Sequence, residues 1–233
     1  MPKPSEKSKK RRIRPFHWMW RIVRFCVLLV VGYLLLCTLL LIGYRFVDPP
    51  ITTVQIQRQI ESIGDGFHYS PVDDSEQAIV VRRAVVAAED ARFYSHNGLD
   101  WTEIQNAREV ARRRGTRPRG ASTITQQLVK NLFLTTHRSW IRKGFEVPLT
   151  YIADLVLPKE RILTLYMNSV EWGPGVFGIE EAAQYHYGIS ADQLSRNQAA
   201  RLAACLPNPR ERRPQNMGNS ASRIMRRMSQ MGW

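Results

Sequence analysis

Residues 25–44 carry no charged side chain, from Phe25-Cys26-Val27 through to Ile42-Gly43-Tyr44. As a helix rising ~1.5 Å per residue, this run is ~30 Å long, the hydrocarbon thickness of a bilayer. A cleaved export signal would have a shorter apolar region ending at a small-x-small site, and none follows Gly43. Arg11-Arg12 raises a twin-arginine signal, but the surrounding residues and the length of the apolar run argue against it. The run reads as a permanent single-pass transmembrane anchor. Phe16, Trp18 and Trp20 lie near one end and Tyr44 and Phe46 near the other, as expected of membrane interfaces. Residues 1–24 hold nine Lys/Arg against Glu6 alone, so the positive-inside rule places this tail in the cytoplasm and the rest of the chain outside.

The formal net charge of +14 would otherwise invite a nucleic-acid partner. Much of it sits against the anchor, where attraction to anionic membrane lipid accounts for it and no nucleic acid is needed. Cys26, Cys37 and Cys205 are dispersed among apolar residues and form no disulfide framework. After the anchor, Asp48-Pro49-Pro50 stops a helix. Residues 45–75 then read as a linker or membrane-proximal segment, with a short helix over 53–63 and a turn at Gly64-Asp65-Gly66. Residues 76–233 read as one all-helical domain, with no strand-rich segment and no internal repeat.

Within that domain the helix boundaries follow from cap chemistry. Asp74 and Gln77 are spaced as a capping box for a helix over 76–88. Asp100 and Glu103 cap a helix from Trp101 to about Arg112, and Thr123 and Gln126 cap one from Ile124 to about Leu134. Ser139 opens the next helix, in which Pro148 should cost ~3 kcal/mol or kink the chain just after Glu146. Pro158 suits the first turn of a helix through Asn168. A tight loop at Gly173-Pro174-Gly175 precedes a helix over 180–187, and small-residue and amphipathic helices cover 192–206 and 220–231.

Two stretches carry candidate chemistry. The first is Glu89-Asp90, at the C-terminal end of a helix, where an acid is disfavoured by ~0.3–1 kcal/mol and its pKa is pushed upward. A chain shaped for stability alone would carry Lys or Arg there. The second is the basic loop Arg112–Gly120 feeding the helix at Ile124. Free backbone N–H groups, the hydroxyls of Ser122 and Thr123, and Arg119 would meet there, which is how a phosphate or pyrophosphate site is built. Further on, Arg142, Lys143 and Glu146 share one helix face. Taken alone that triplet is a solvated ion-pair face. His96 has no second ligand at metal spacing and reads as a scaffold residue, and Asp100 reads as a structural cap.

In combination these segments resemble a known family. Glu89-Asp90-x-x-Phe93-x-x-His96-x-Gly98-x-Asp100, followed by Gly120-x-Ser122-Thr123-Ile124-Thr125-Gln126-Gln127, is similar to the peptidoglycan glycosyltransferase domain. That domain occurs in class A penicillin-binding proteins and in monofunctional biosynthetic transglycosylases. Arg142-Lys143-Gly144-Phe145-Glu146, Lys159-Glu160-Arg161 through Tyr166-Met167-Asn168, and Gly173–Gly178 leading to Ala182-Ala183-Gln184-Tyr185 match further motifs in order. The resemblance covers about residues 50 to 233. The chain ends at Trp233, so no transpeptidase domain is expected.

The resemblance implies a lysozyme-like helical fold with a smaller membrane-facing lobe around the basic loop. It implies polymerisation of lipid II into β-1,4-linked glycan strands, with inversion and release of undecaprenyl pyrophosphate, at the plasma membrane. By position, Glu89 corresponds to the general base and Glu146 to the second essential carboxylate. Arg119, Ser122, Thr123, Gln126, Lys130, Arg138, Arg142 and Lys143 correspond to substrate-binding positions. The sequence holds no Asp-x-Asp motif or His cluster, so no cofactor is expected, and a divalent cation (Mg or Mn) would arrive with the pyrophosphate. Lipid II, the growing glycan strand and membrane lipid are the implied partners, with cell-wall synthesis or division proteins as further candidates. Two other readings compete: a lysozyme-like glycan hydrolase, and a non-enzymatic basic membrane scaffold.

Overall fold

The computed structural model describes residues 15–61, 68–73, 77–118, 120–137 and 139–233, and for residues 15–17 the backbone only. The chain divides into two compact units, Met1–Cys37 and Thr38–Trp233. The described part of the first unit is helical and belongs to α1 (Pro15–Tyr44). Over Trp18–Tyr44 this helix is long and apolar enough to cross a membrane. Trp18, Phe25, Leu28, Leu29, Leu35 and Leu36 are all exposed along it. No amphipathic stripe is needed when the surroundings are hydrocarbon on every side.

Among its described residues, the second unit's regular elements are helices and one small sheet. Helix α2 (Thr53–Glu61) packs on α5 (Ile124–Phe133), and α5 packs in turn on α6 (Trp140–Val156) and α7 (Lys159–Ser169). Helix α3 (Ile79–Glu89) packs on α9 (Arg196–Cys205) and α10 (Gly218–Gln230). Helices α4 (Trp101–Arg114) and α8 (Ile179–Tyr187) complete the set. The α3–α9 contact is made of small residues. Ala84 and Ala87 on one helix and Ala199, Ala200 and Ala203 on the other are buried, which lets the two backbones approach closely. The α5–α6–α7 contact is larger-grained, with Ile124, Leu128, Leu149, Ile162, Leu163 and Tyr166 fully buried.

Strands β1 (His68–Tyr69), β2 (Glu171–Gly173) and β3 (Val176–Phe177) form a sheet in the order β1-β3-β2. The expected glycine loop is thus the turn of a short antiparallel hairpin. Gly178 leaves it with φ of 90°, and a Cβ there would lie 3.2 Å from the Asn168 carbonyl oxygen, so only glycine fits without strain.

Several boundaries differ from the sequence reading for identifiable reasons. Helix α3 begins after Ala78, which makes no side-chain cap bond. Gln77 lies outside the helix, and Asp74 is outside the described residues. The Gln77 amide is instead drawn inward: its Nε2 donates to Asn168 Oδ1 at 3.0 Å, and its Oε1 accepts from Arg82 Nη1 at 3.0 Å. A buried guanidinium needs acceptors, and that requirement outranks a surface cap. Pro148 lies inside α6 without ending it. Residues 48–61, read as a linker, are tied to the domain. Asp48 forms an ion pair with Arg161 and accepts from Asn168 Nδ2, Tyr69 Oη donates to the Pro49 carbonyl at 2.9 Å, and Thr53 Oγ1 donates to the Leu132 carbonyl at 2.8 Å. The turn read at residues 64–66 lies outside the described residues.

Candidate active site

The first turn of α5 organises the site. Thr123 accepts from the Gln126 backbone N–H at 3.2 Å, and Gln126 Oε1 accepts from the Thr123 N–H at 3.1 Å, so the expected capping box is complete. The Thr123 hydroxyl also donates to the Gly98 carbonyl at 2.6 Å. Asp90 Oδ2 accepts from the Ile124 N–H at 3.1 Å. The N–H groups of Ile124 and Gln126, where an anion was expected to bind, are thereby taken up by the protein's own oxygens. Thr123 and Gln126 hold the site together from within. Ser122 is exposed at the mouth of a neighbouring cavity, and Arg119 and Arg138 lie outside the described residues.

Two consecutive glutamines then reach two different carboxylates. Gln126 Nε2 donates to Glu146 Oε1 at 3.3 Å, and Gln127 Nε2 donates to Glu89 Oε2 at 2.8 Å. On a helix, neighbouring positions point about 100° apart. The turn therefore sits between α3, which ends at Glu89, and α6, which carries Glu146. Gln127 Oε1 accepts in turn from the Tyr166 hydroxyl at 3.1 Å, and Tyr166 is fully buried on α7.

Glu89 is the last residue of α3, half-buried, and its carboxyl is held above the ordinary carboxylate range. Burial is the first cause. The Gln127 hydrogen bond and the positive charges of Lys130 and Arg212 oppose it, while Asp90 adds to it. The upward direction read from helix position holds, though desolvation leads as its cause. Glu89, Arg92, Ser122 and Arg227 line a cavity of about 470 Å³, with Asp90, Asp100 and Glu103 supplying further carboxylates. Arg227 Nη1 also donates to the Ala87 carbonyl at 2.7 Å, placing a cation at the C-terminal end of α3.

Glu146 is 3% exposed and paired on both oxygens, with Arg142 Nη1 on Oε2 at 2.9 Å and Lys143 Nζ on Oε1 at 2.5 Å. The face expected from spacing is therefore buried at its acidic end rather than solvated. Lys130, nearly two turns into α5, has its proton affinity lowered first by burial and then by Arg142, and raised by both Glu146 and Glu89. Among the described residues its ammonium donates no hydrogen bond, and Arg142 Nε is buried without a partner. Three cations thus stand around two carboxylates, with one buried donor, Arg142 Nε, left over. Such an arrangement suits an anionic ligand.

Asp90, His96 and Asp100 bring oxygen and nitrogen atoms within 4.8 Å of one another, a grouping the sequence spacing did not reveal. Each is already committed. His96 Nε2 lies 3.0 Å from both Asp90 oxygens, and Asp90 also holds the Ile124 N–H. Asp100 accepts from the Glu103 N–H at 2.9 Å, capping α4, and pairs with Arg92 at 3.4 Å. This cluster braces α4 and α5 against the end of α3, in keeping with the scaffold role read for His96 and the cap read for Asp100. At the other carboxylate, both Glu146 oxygens are paired with cations, Arg142 and Lys143. Gln127, Tyr166 and Arg227 were missed as site residues. Gln127 and Tyr166 lie inside motifs quoted above without a role of their own, and Arg227 lies on the amphipathic segment over 220–231.

The helical domain thus sets a half-buried and a buried carboxylate among several cations, in a chain that also carries one helix long and apolar enough to cross a membrane. Comparison with known proteins specifies the class: residues 57–231 match the transglycosylase family model, and the chain belongs to that family. It is 44% identical over 226 residues to a biosynthetic peptidoglycan transglycosylase of Chromohalobacter salexigens, covering 92% of this chain and 95% of the relative. Proteins of the same name from Pseudomonas entomophila (45% over 198 residues; 81% of this chain, 83% of the relative) and Bordetella pertussis (41% over 220 residues; 90% and 88%) are similarly related.

Proposed function

We propose that this protein is a peptidoglycan glycosyltransferase that polymerises lipid II into linear β-1,4-linked glycan strands. The acceptor's 4-hydroxyl gives its proton to Glu89, and its oxygen attacks the anomeric carbon of the growing strand. The bond from that carbon to the pyrophosphate oxygen breaks, configuration inverts, and undecaprenyl pyrophosphate leaves. A sugar hydroxyl is a weak nucleophile, and a base tuned toward the operating pH contributes ~10²–10⁴-fold. Glu146 lies beside the leaving group and holds Arg142 and Lys143 in place; together with Lys130, and with Arg119 and Arg138 as the resemblance implies, these cations neutralise the pyrophosphate. A divalent cation would enter with the pyrophosphate rather than be seated by the protein, and no step here depends on it.

The observation that carries this reading is the buried, unpartnered Arg142 Nε beside Glu146, together with a half-buried Lys130 whose ammonium donates no hydrogen bond among the described residues. A glycan hydrolase meets no pyrophosphate and has no use for them. The lipid-linked substrate accounts for α1, since enzyme and substrate then meet on one surface. The basic N-terminal tail favours an inside N-terminus, with the catalytic domain outside the plasma membrane. The test supplies labelled lipid II and, separately, finished glycan. Polymer from lipid II together with released undecaprenyl pyrophosphate is expected; glycan fragments from finished wall would indicate the hydrolase instead.

A further inference from the structure

We propose that Tyr166 is a positioning residue: through the Gln127 amide it fixes which face of Glu89 is held by the protein and which is left for the acceptor. This rests on the base role proposed above for Glu89. The Tyr166 hydroxyl donates to Gln127 Oε1 at 3.1 Å, and Gln127 Nε2 donates to Glu89 Oε2 at 2.8 Å. Among the described residues, the Tyr166 hydroxyl has no other hydrogen-bond acceptor, and Glu89 Oε1 accepts no hydrogen bond. Tyr166 is fully buried, and burial with the negative charges of Glu89 and Asp90 holds its phenol protonated.

The consequence follows from the two ends of an amide. A carboxamide can present either N–H₂ or C=O to Glu89. If it turned its carbonyl to Glu89, its N–H₂ would face Tyr166, and the buried phenolic proton would lose its acceptor. That loss is unfavourable, so Tyr166 locks Gln127 as a donor toward Glu89. A donor stabilises the carboxylate form and opposes the protonated form. The lock thus keeps Glu89 ready to accept a proton although burial works against it. The other charged groups around Glu89 are Lys130 on α5, Arg212 after α9, Arg227 on α10, Asp90 and Arg92 in the segment after α3, and Asp100 and Glu103 at the start of α4. None of them touches the Gln127 amide, so the lock is separable from them.

The experiment is the pH dependence of lipid II polymerisation by full-length Tyr166→Phe, beside wild type, Glu89→Gln and Gln127→Met. Tyr166→Phe should move the acidic limb of kcat/KM to higher pH. The rate near neutral pH should fall roughly 2- to 10-fold, a deficit that closes at higher pH, with KM little changed. Gln127→Met should shift the limb the same way, and adding Tyr166→Phe to it should produce no further shift. A purely packing role for Tyr166 would lower the rate equally at every pH and leave the limb in place; that outcome overturns the proposal. Should Tyr166→Phe fail to fold, an unshifted limb in Gln127→Met overturns it equally. Polymerisation retained by Glu89→Gln would remove the base reading itself, whereas an inactive Glu89→Gln with an unshifted Tyr166→Phe removes only the lock.

Discussion

Glu89 is kept where its charge is unwelcome, and that has a thermodynamic signature. Its folded pKa lies above that of the unfolded chain because burial outweighs the nearby donors. A carboxyl shifted in this direction supports the fold below its unfolded pKa, and that support is lost as pH rises through the folded value. At neutral pH the ionised group is therefore a local liability. Glu89→Gln should raise the Tm at neutral pH, and the gain should shrink as pH falls into the ordinary carboxylate range. Thermal denaturation of both proteins across that range checks this; a variant no more stable at neutral pH would contradict the role given to burial. Lys130 makes the opposite kind of prediction. If it holds pyrophosphate, Lys130→Ala should reduce polymerisation by roughly 30- to 5000-fold, the equivalent of ~2–5 kcal/mol for a lost buried charge contact. A surface lysine would change activity by no more than ~0.5 kcal/mol. Steady-state rates at fixed ionic strength separate the two. At this scale the positions of Glu89 and Glu146 stand out in the sequence because short motifs contain them. The Tyr166–Gln127 contact does not, since it joins residues 39 apart and Tyr166 is indistinguishable in sequence from an ordinary core aromatic.

Helix starts were legible wherever the cap is local and failed where a distant partner competes. The box at Thr123–Gln126 forms, and Asp100 and Ser139 cap as their sequence positions suggest, whereas the helix read over 192–206 starts later, behind a Ser195–Gln198 box the sequence reading did not use. Gln77 does not behave this way, because Arg82 and Asn168 claim its amide from inside the core. Helix α5 also shows why a helix start with free N–H groups was a misleading sign of an anion site: Asp90, 34 residues earlier, already fills the place. Thr123 consequently does more than cap, since its hydroxyl also ties α5 to the Gly98 loop. Thr123→Ala should cost ~1–2 kcal/mol of stability, and Thr123→Ser should recover most of it. Denaturant unfolding of the three proteins measures this; an unchanged midpoint for Thr123→Ala would mean the cap and the Gly98 tie contribute nothing.

At the scale of the whole molecule, the anchor and the all-helical domain could be read directly from composition and periodicity. The little sheet could not, because two- and three-residue strands leave no alternating pattern to detect. The nine Lys/Arg of residues 1–24 predict an inside N-terminus, so a reporter active only outside the membrane should be active when fused after Trp233. Activity solely from a cytoplasm-only reporter at that position would contradict the orientation. Chemistry and topology meet in one assay: full-length protein and its Glu89→Gln variant, each given labelled lipid II, with polymer length and lipid II binding read from the same samples. Wild type should build long glycan strands, while Glu89→Gln should bind lipid II as well as wild type and build none. Polymerisation by Glu89→Gln within tenfold of wild type would contradict the central claim that this carboxylate takes the acceptor's proton.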